Sequence, residues 1–432
     1  MTRPTRRFRR RPILGCGAAL LFALTGVSLF DARALSVEFV VLMLAASAAY
    51  VAALFVVARG AGSRAMLGGC LLLSLVWRGA LVMSAPVVSD DVYRYVWDGR
   101  AQRFGYNPYD TVPDDPALEH VHTEVTRRIP PVSAALPTIY PPAAQLFFRL
   151  VTTVRESIAA VVVAVVLCDL LAMYVMWRWL LAVGRDPWWV LAYAWHPLVA
   201  LEGAGGGHID VVGMACVVVA GYTLSKRRTM LASVTLAVAC AIKFLPVVLL
   251  PLLWRRVRIR DAVIASAVVG VCYLPFLGGA SLLPVGSLGA YVDGWRFNGP
   301  LFVFLEPWLG VFGVLALAVG GGLAVAAWAR HTLAVSDPRA WAWPVAVAVL
   351  FMPAVYPWYL VWLTPFLTVS GTWPLVAWTL ASIATYTVWV NELAGVGWVI
   401  PEWVVPVEYG LVAVTALLVA RTAWSAPRTA TS

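Results

Sequence analysis

Apolar runs of about 20 residues recur along the whole chain, separated by short polar or arginine-bearing segments. A run of that length with few charges reads as a helix crossing a bilayer. Such runs cover 13–30, 36–58, 66–85, 158–181, 187–203, 209–224, 260–279, 300–328, 372–390 and 404–421. Two further stretches are apolar but interrupted. The run 341–369 is broken at Pro353 and Pro357 and reads as two short spans. The run 230–253 is broken by Lys243-Phe-Leu-Pro246 and by Pro251. Proline removes a helical hydrogen bond, so the backbone there needs other partners. The pattern predicts an all-α polytopic membrane protein of about twelve helices plus a broken, re-entrant hairpin at 230–253. It predicts a single membrane domain over 1–432, without internal repeats. The one long hydrophilic segment is 86–156.

Basic residues orient these spans. The N-terminal arginine cluster, Arg59, Arg64, Arg185, Lys226-Arg-Arg228, Arg330, Arg339, Arg421 and Arg428 fall on one side when the spans alternate. Positive residues concentrate in cytoplasmic loops, so that side is inside and both termini are cytoplasmic. The first run has no evident small-residue cleavage site and is followed after a very short loop by the second, so it reads as a retained signal-anchor. The run 230–253 has basic clusters at both ends, and a straight span would put one of them outside. Two half-helices entering and leaving from the cytoplasmic side keep both inside, and broken helices are tolerated where they line a cavity. The segment 86–156 is then an external loop. Asp90, Asp91, Arg94, Asp98, Tyr140, Glu202, His208, Asp210, Asp293, Arg296, Asn298, Asn391 and Glu392 all come to the external face.

Composition narrows the picture. With 61% hydrophobic and 12% charged residues and a mean hydropathy of +0.82, the chain is no soluble domain. Its net charge of +10 sits in the topology signals, so no nucleic-acid partner is expected. All six cysteines lie in apolar spans, which argues against a disulfide framework or a thiolate metal site.

The chemistry concentrates at 89–110, just after the third span. Asp90, Asp91 and Asp98 stand there with Arg94, Arg100, Arg103 and several aromatics, including Tyr95. Charge at a membrane edge is costly and seldom idle. Carboxylates can take protons from hydroxyls, and flat rings can stack on pyranose faces. A helix starting near Asp91 with Ser89 and Asp90 as caps would account for one acid. It would not account for both.

A second cluster is His208 and Asp210, after Gly203-Ala-Gly-Gly-Gly207. A hydrogen-bonded core histidine beside a simple turn is the plainer account; a ligand contact is the sharper one. The third feature is Lys243 inside an apolar run, which costs about 2.5–3.5 kcal/mol on insertion scales. It either snorkels or faces a polar cavity and binds a phosphate, with Arg296 as the alternative phosphate ligand. Tyr356, Trp358, Tyr359 and Trp362 fit an interfacial belt or the wall of a lipid or sugar groove. Glu202 and Glu306 lie near span ends, and His196 and His331 read as structural.

Ser89-Asp-Asp-Val-Tyr-Arg-Tyr-Val-Trp-Asp-Gly-Arg, Gly105-Tyr-Asn-Pro-Tyr109 and Thr138-Ile-Tyr-Pro-Pro-Ala-Ala-Gln145 resemble the first external loop of GT-C polyprenyl-phosphate-sugar-dependent glycosyltransferases. The nearest pattern is that of the bacterial mannosyltransferases and the glycosyltransferase family 87-like proteins. Gly207-His-Ile-Asp210, Lys243-Phe-Leu-Pro246 and Pro357-Trp-Tyr-Leu-Val-Trp-Leu363 are similar too, though less specific. The resemblance runs over roughly 66–400. It implies a catalytic acid in the loop, which matches Asp91, with Asp90 added. The chain departs from the simplest layout by having two spans before that loop rather than one.

The resemblance implies a plasma-membrane enzyme with its active site outside, moving a sugar, mannose in the first instance, from a polyprenyl phosphate with inversion. Asp91, or Asp90, would be the general base. Lys243, Arg296, Arg94 and His208 would stabilise the departing phosphate. Tyr95, Asp98, Tyr140, Asp210, Tyr356 and Trp358 complete the expected substrate-binding set. Acceptors would be a glycan, glycolipid or protein of the cell envelope. A cationic cluster can serve without a metal, while the paired acids could hold Mg or Mn; both stay open. The rival from another class is a transporter or flippase of lipid-linked sugars, which would show internal repeats and midplane charges. A ligase-type transferase is a smaller rival, because its long external loop comes late in the chain.

Overall fold

The computed structural model describes residues 10–60, 62–279 and 284–425. The arginine-rich cluster before Arg10, and Arg428, lie outside the described residues. These residues are helical throughout; their one strand-like feature is a parallel bridge between Phe297 and Ala354. Among the described residues, eight helical segments are long and apolar enough to cross a membrane. They are Arg11–Leu29, Ser36–Ala58, Arg64–Ser84, Ile158–Ala182, Ile259–Phe276, Pro300–Thr332, Ser370–Leu393 and Val404–Thr422. Three shorter apolar helices join them: Asp210–Ser225, Thr229–Ile242 and Arg339–Leu350. The chain is a polytopic helical membrane protein.

The bundle has a lipid-facing rim and a dry interior. On the rim, Phe22, Phe304, Trp308, Phe312 and Leu417 are exposed, as suits side chains whose solvent is hydrocarbon. The interior is built from segments that are not straight spans. The stretch expected as one span at 187–203 is instead four short pieces. They are Pro187–Val190, Leu191–Ala194, Pro197–Ala200 and the π-turn Leu201–Gly205. Pro187 and Pro197 open pieces because they have no N–H to offer a preceding turn. Asp186 and His196 cap them, accepting from the N–H of Trp188 and Leu198. Likewise 341–369 resolves into Arg339–Leu350, Pro357–Leu360 and Val361–Phe366. Both stretches are almost wholly buried in protein. Their backbone groups therefore find partners there, and a continuous helix is not required.

The run 230–253 does break at Lys243. The Thr229–Ile242 helix ends there in extended backbone (φ −154°, ψ 139°), and a tighter helix follows over Leu245–Leu252. Thr229 Oγ1 donates to Asp261 Oδ2 at 2.6 Å, so the start of this helix meets the start of Ile259–Tyr273. The basic clusters 226–228 and 255–260 are thereby neighbours. Asp210–Ser225 runs toward Lys226, and Thr229–Ile242 packs beside it and runs back to Lys243. At 1.5 Å per residue the 14-residue return helix is about 21 Å long. This helical pair carries basic residues at one end and Asp210 and Lys243 at the other.

The segment 86–156 is a folded cap. The Asp91–Arg103 helix packs on Pro142–Val154. Buried Asp98 accepts from Arg94 Nε (2.7 Å), Thr138 Oγ1 (2.7 Å) and Gln145 Nε2 (2.7 Å), which ties three parts of the loop to one carboxylate. At Gly99 an added Cβ would collide with the carbonyl of Phe148, so only glycine permits this helix contact.

Candidate active site

Asp91 stands at the N-terminus of the Asp91–Arg103 helix, where the helix dipole favours a negative charge. Its N–H donates to Ser89 Oγ at 3.4 Å, and Tyr140 OH donates to its Oδ2 at 3.3 Å. Its side chain is 35% exposed, so it is open to a substrate. Burial of the group among protein atoms pushes its carboxyl above the ordinary range, against the pull of His208 and Lys243.

His208 lies immediately behind it. Its Nε2 is 3.1 Å from Ser89 Oγ and 3.9 Å from Asp91 Oδ2, and its ring is fully buried. Nδ1 lies 2.9 Å from Glu202 Oε2, and Glu202 Oε1 accepts from Tyr386 OH at 2.6 Å. Two glycines make room: a Cβ on Gly206 would strike the imidazole, and Gly207 takes a positive φ of 67°. Trp358 stacks on the imidazole with centroids 4.4 Å apart and planes 12° from parallel.

Lys243 Nζ donates to Asp210 Oδ1 at 2.7 Å and lies 3.8 Å from the Tyr359 ring centroid. Trp362 Nε1 donates to the same Asp210 oxygen at 2.7 Å. Asp210 is buried, whereas the Lys243 side chain keeps 22% of its surface. A ring column extends from Trp358 to Tyr356 (4.4 Å, 5°), then Phe297 (4.3 Å, 17°) and Trp398 (6.3 Å, 28°). The structure therefore gathers Asp91, Tyr140, His208, Asp210, Lys243, Tyr356 and Trp358 at one place. Tyr95 adjoins them, its ring edge-on to Tyr140 at 5.1 Å.

Other expected residues are engaged elsewhere. Asp90 occupies the cap position but makes no cap bond; it is held by Arg33 at 2.7 and 3.0 Å. The two loop acids therefore do not face one point. Arg94 is buried against Asp98 and donates to the carbonyls of Ser133 and Leu136, so Arg94 and Asp98 build the cap rather than face the pocket. Arg296 pairs with Glu306 at 2.6 Å and lies over Phe302. His196 is a buried cap and bonds Thr379. Among the described residues no three His, Cys, Asp or Glu side chains form a group able to hold a metal.

Sequence reasoning passed over Ser89 as a ligand of His208, Tyr386, Arg33 and the buried pair Arg78–Asp169. Arg33 offered a signal: it is an arginine between the first two spans, where the charge rule expects none.

A carboxylate, an imidazole and an ammonium in one aromatic-walled pocket of a helical membrane bundle suit an enzyme of glycosyl transfer. Residues 16–257 match the family described as Alpha-(1->6)-mannopyranosyltransferase, N-terminal domain. Over 367 residues the chain is 28% identical to Alpha-(1->6)-mannopyranosyltransferase A of Mycobacterium tuberculosis, covering 73% of this chain and 67% of the relative. No solved structure matches it. The chain belongs to the alpha-(1->6)-mannopyranosyltransferase family and is a glycosyltransferase. The family match covers Asp91, Tyr140, Glu202, His208, Asp210 and Lys243, but not the ring column from Phe297 to Trp398.

Proposed function

We propose that this enzyme transfers mannose from a polyprenyl-phosphate donor to a hydroxyl of a cell-envelope glycan or glycolipid, forming an α-(1→6) bond on the outer face of the plasma membrane. The observation that carries this is Asp91, accessible on one side and flanked by His208 and the Asp210–Lys243 pair. Asp91 takes the proton of the acceptor hydroxyl. The acceptor oxygen attacks the anomeric carbon from the face opposite the phosphate, the carbon–phosphate-oxygen bond breaks, and the configuration inverts. Polyprenyl phosphate leaves with the bonding electrons. Lys243 offsets the charge that develops on it. The fully buried His208 acts on Asp91 instead. The column of His208, Trp358, Tyr356 and Phe297 stacks its ring faces on one another, so what it offers the sugar or the first isoprene units is a wall of ring edges.

Topology supports the outer placement. The Thr229–Asp261 contact brings two basic clusters together. Arg256 donates to the Arg330 carbonyl, and Arg330 to the Trp254 carbonyl, which adds a third basic element to that end. With those residues cytoplasmic, the pocket lies about 21 Å away at the other end of the helical pair. In this reading 230–253 is re-entrant, the short interior pieces bring the spans to about twelve, and 86–156 is the external catalytic loop. A flippase is less well supported, because the pocket's acids gather at one end rather than through the midplane.

The test is transfer of radiolabelled mannose from polyprenyl-phosphate-mannose to a cell-envelope acceptor extract, by purified protein in nanodiscs. Wild type should transfer and Asp91→Asn should not. Full transfer by Asp91→Asn would overturn the base assignment. No transfer by folded wild type would overturn the donor.

A further inference from the structure

The pocket contains a charge that the reaction as proposed does not use. Glu202 is wholly buried in the π-turn Leu201–Gly205, an insertion that often marks a functional position. A carboxylate without water needs a compensating cation. Lys243 is already bound to Asp210. Among the described residues, the ion pair of Glu202 is with His208 Nδ1, while Tyr386 supplies a neutral hydroxyl to its other oxygen. The two residues are also joined through the main chain, His208 N–H donating to the Glu202 carbonyl at 3.0 Å. The indole face of Trp358 against the imidazole is a further environment that favours a cation.

We infer that Glu202 is a positioning residue that keeps His208 as an imidazolium beside Asp91, and thereby keeps the partly buried Asp91 an ionised base. The inference rests on Asp91 being the base proposed above. The charges around the imidazole agree with it. From its own turn comes Glu202; from the Asp91–Arg103 helix comes Asp91, with Ser89 just before it; from the next helix comes Asp210, bound to Lys243. Trp358 covers the ring face without charge, and Tyr386 bonds Glu202 behind it as a neutral hydroxyl. The Asp210–Lys243 and Glu202–His208 pairs are each neutral overall, but in the second the imidazolium turns Nε2 to Asp91 at 3.9 Å while Glu202 sits on the far nitrogen, Nδ1, so the positive member is the nearer one. An opposite charge at that range favours the ionised carboxylate by between about one and three pH units. Removal of Glu202 leaves a buried imidazole that gives up its proton, and Asp91 loses its counter-charge.

The experiment is the pH dependence of kcat/KM for mannose transfer in nanodiscs, for wild type, Glu202→Gln, His208→Gln and the double variant, each with a melting curve. Glu202→Gln should move the acidic limb to higher pH by about one unit or more. It would then lose about tenfold or more on that limb and recover most of the loss at alkaline pH. His208→Gln should show the same displacement and carries the test if Glu202→Gln does not fold. The double variant should move no further than either single one, because the two residues act in series. An acidic limb left in place in a folded Glu202→Gln or His208→Gln enzyme would overturn the inference. Asp91→Asn separates the two levels. If it retains transfer, the base reading fails; if it is inactive while the limbs stay in place, only the role of Glu202 fails.

Discussion

Arg33, in the short connection between the first two spans, grips Asp90 with both terminal guanidinium nitrogens, Nη2 at 2.7 Å and Nη1 at 3.0 Å. The same guanidinium lies 4.7 Å from the centroid of Trp389, whose Nε1 donates to the Val88 carbonyl. Asp90 thus ties the start of the 86–156 segment to segments from both ends of the chain. Its neighbour Asp91 is left facing the pocket. Adjacent acids with opposite orientation divide structure from chemistry.

That division predicts unequal losses. Asp91→Asn should lower transfer by about 10²–10⁴, the range for removing a general base. Asp90→Asn should reduce it less than about tenfold while lowering stability by about 1–3 kcal/mol, the range for hydrogen bonds to a charged group. Arg33→Ala should resemble Asp90→Asn, and the double variant should cost little more than either one, since both remove the same contact. Transfer assays and melting curves on the four proteins check this.

The acidic limb of the reaction should lie above an ordinary aspartate. Burial raises the Asp91 carboxyl, and a base works only when deprotonated, so activity is lost as pH falls through that raised value. An unperturbed aspartate would hold activity down to about pH 4. Profiles of kcat/KM against pH should fall off at a higher pH, and Tyr140→Phe, which removes a hydrogen bond to the ionised form, should move the fall higher still.

Lys243 and Asp210 can be separated by charge balance. Lys243→Met alone leaves Asp210 buried and unpaired, so it should impair folding and activity together. Adding Asp210→Asn restores neutrality and should recover the melting temperature. Transfer should stay down by about 10²–10³, because the cation facing the leaving phosphate is still missing. Recovery of transfer in the double variant would make Lys243 purely structural.

The long lipid-facing helices were legible because each is a local property: an apolar run and its caps. Ser36–Ala58 and Ile158–Ala182 begin and end within a residue of where hydropathy puts them. The interior was not legible in the same way. The stretch after Pro187 is as apolar as a span; Pro197 and the caps Asp186 and His196 mark where its pieces begin, but burial in protein is what lets it fold as four short pieces. The pocket was partly legible, since Asp91, His208, Asp210 and Lys243 are polar groups at membrane depth and stand out one at a time. What could not be read was which acid has a partner. Asp90 and Arg33 are 57 positions apart, and Glu202 and Tyr386 are 184 apart.

The same blindness hid the ion pair of Arg78 and Asp169, which lies inside two spans. Arg78 Nε donates to Asp169 Oδ2 at 2.6 Å, with both side chains essentially buried. Tyr193 OH donates to the other carboxylate oxygen at 2.6 Å, and Arg78 Nη1 donates to the Ala194 carbonyl at 2.8 Å. Third span, fourth span and the interior stretch are thus joined at one point, with Asp169 beside Gly203 of the turn that carries Glu202. Each lone charge would be costly in this setting, so removing one partner should destabilise by about 3–5 kcal/mol. Arg78→Met and Asp169→Leu should each lower the melting temperature in detergent sharply. The double variant should recover much of the loss, because replacing both ions by apolar groups of similar volume is often neutral or better. Transfer by the recovered double variant should be near that of wild type. If the double variant melts as stably as wild type but does not transfer, the pair has a part in the reaction as well as in the fold.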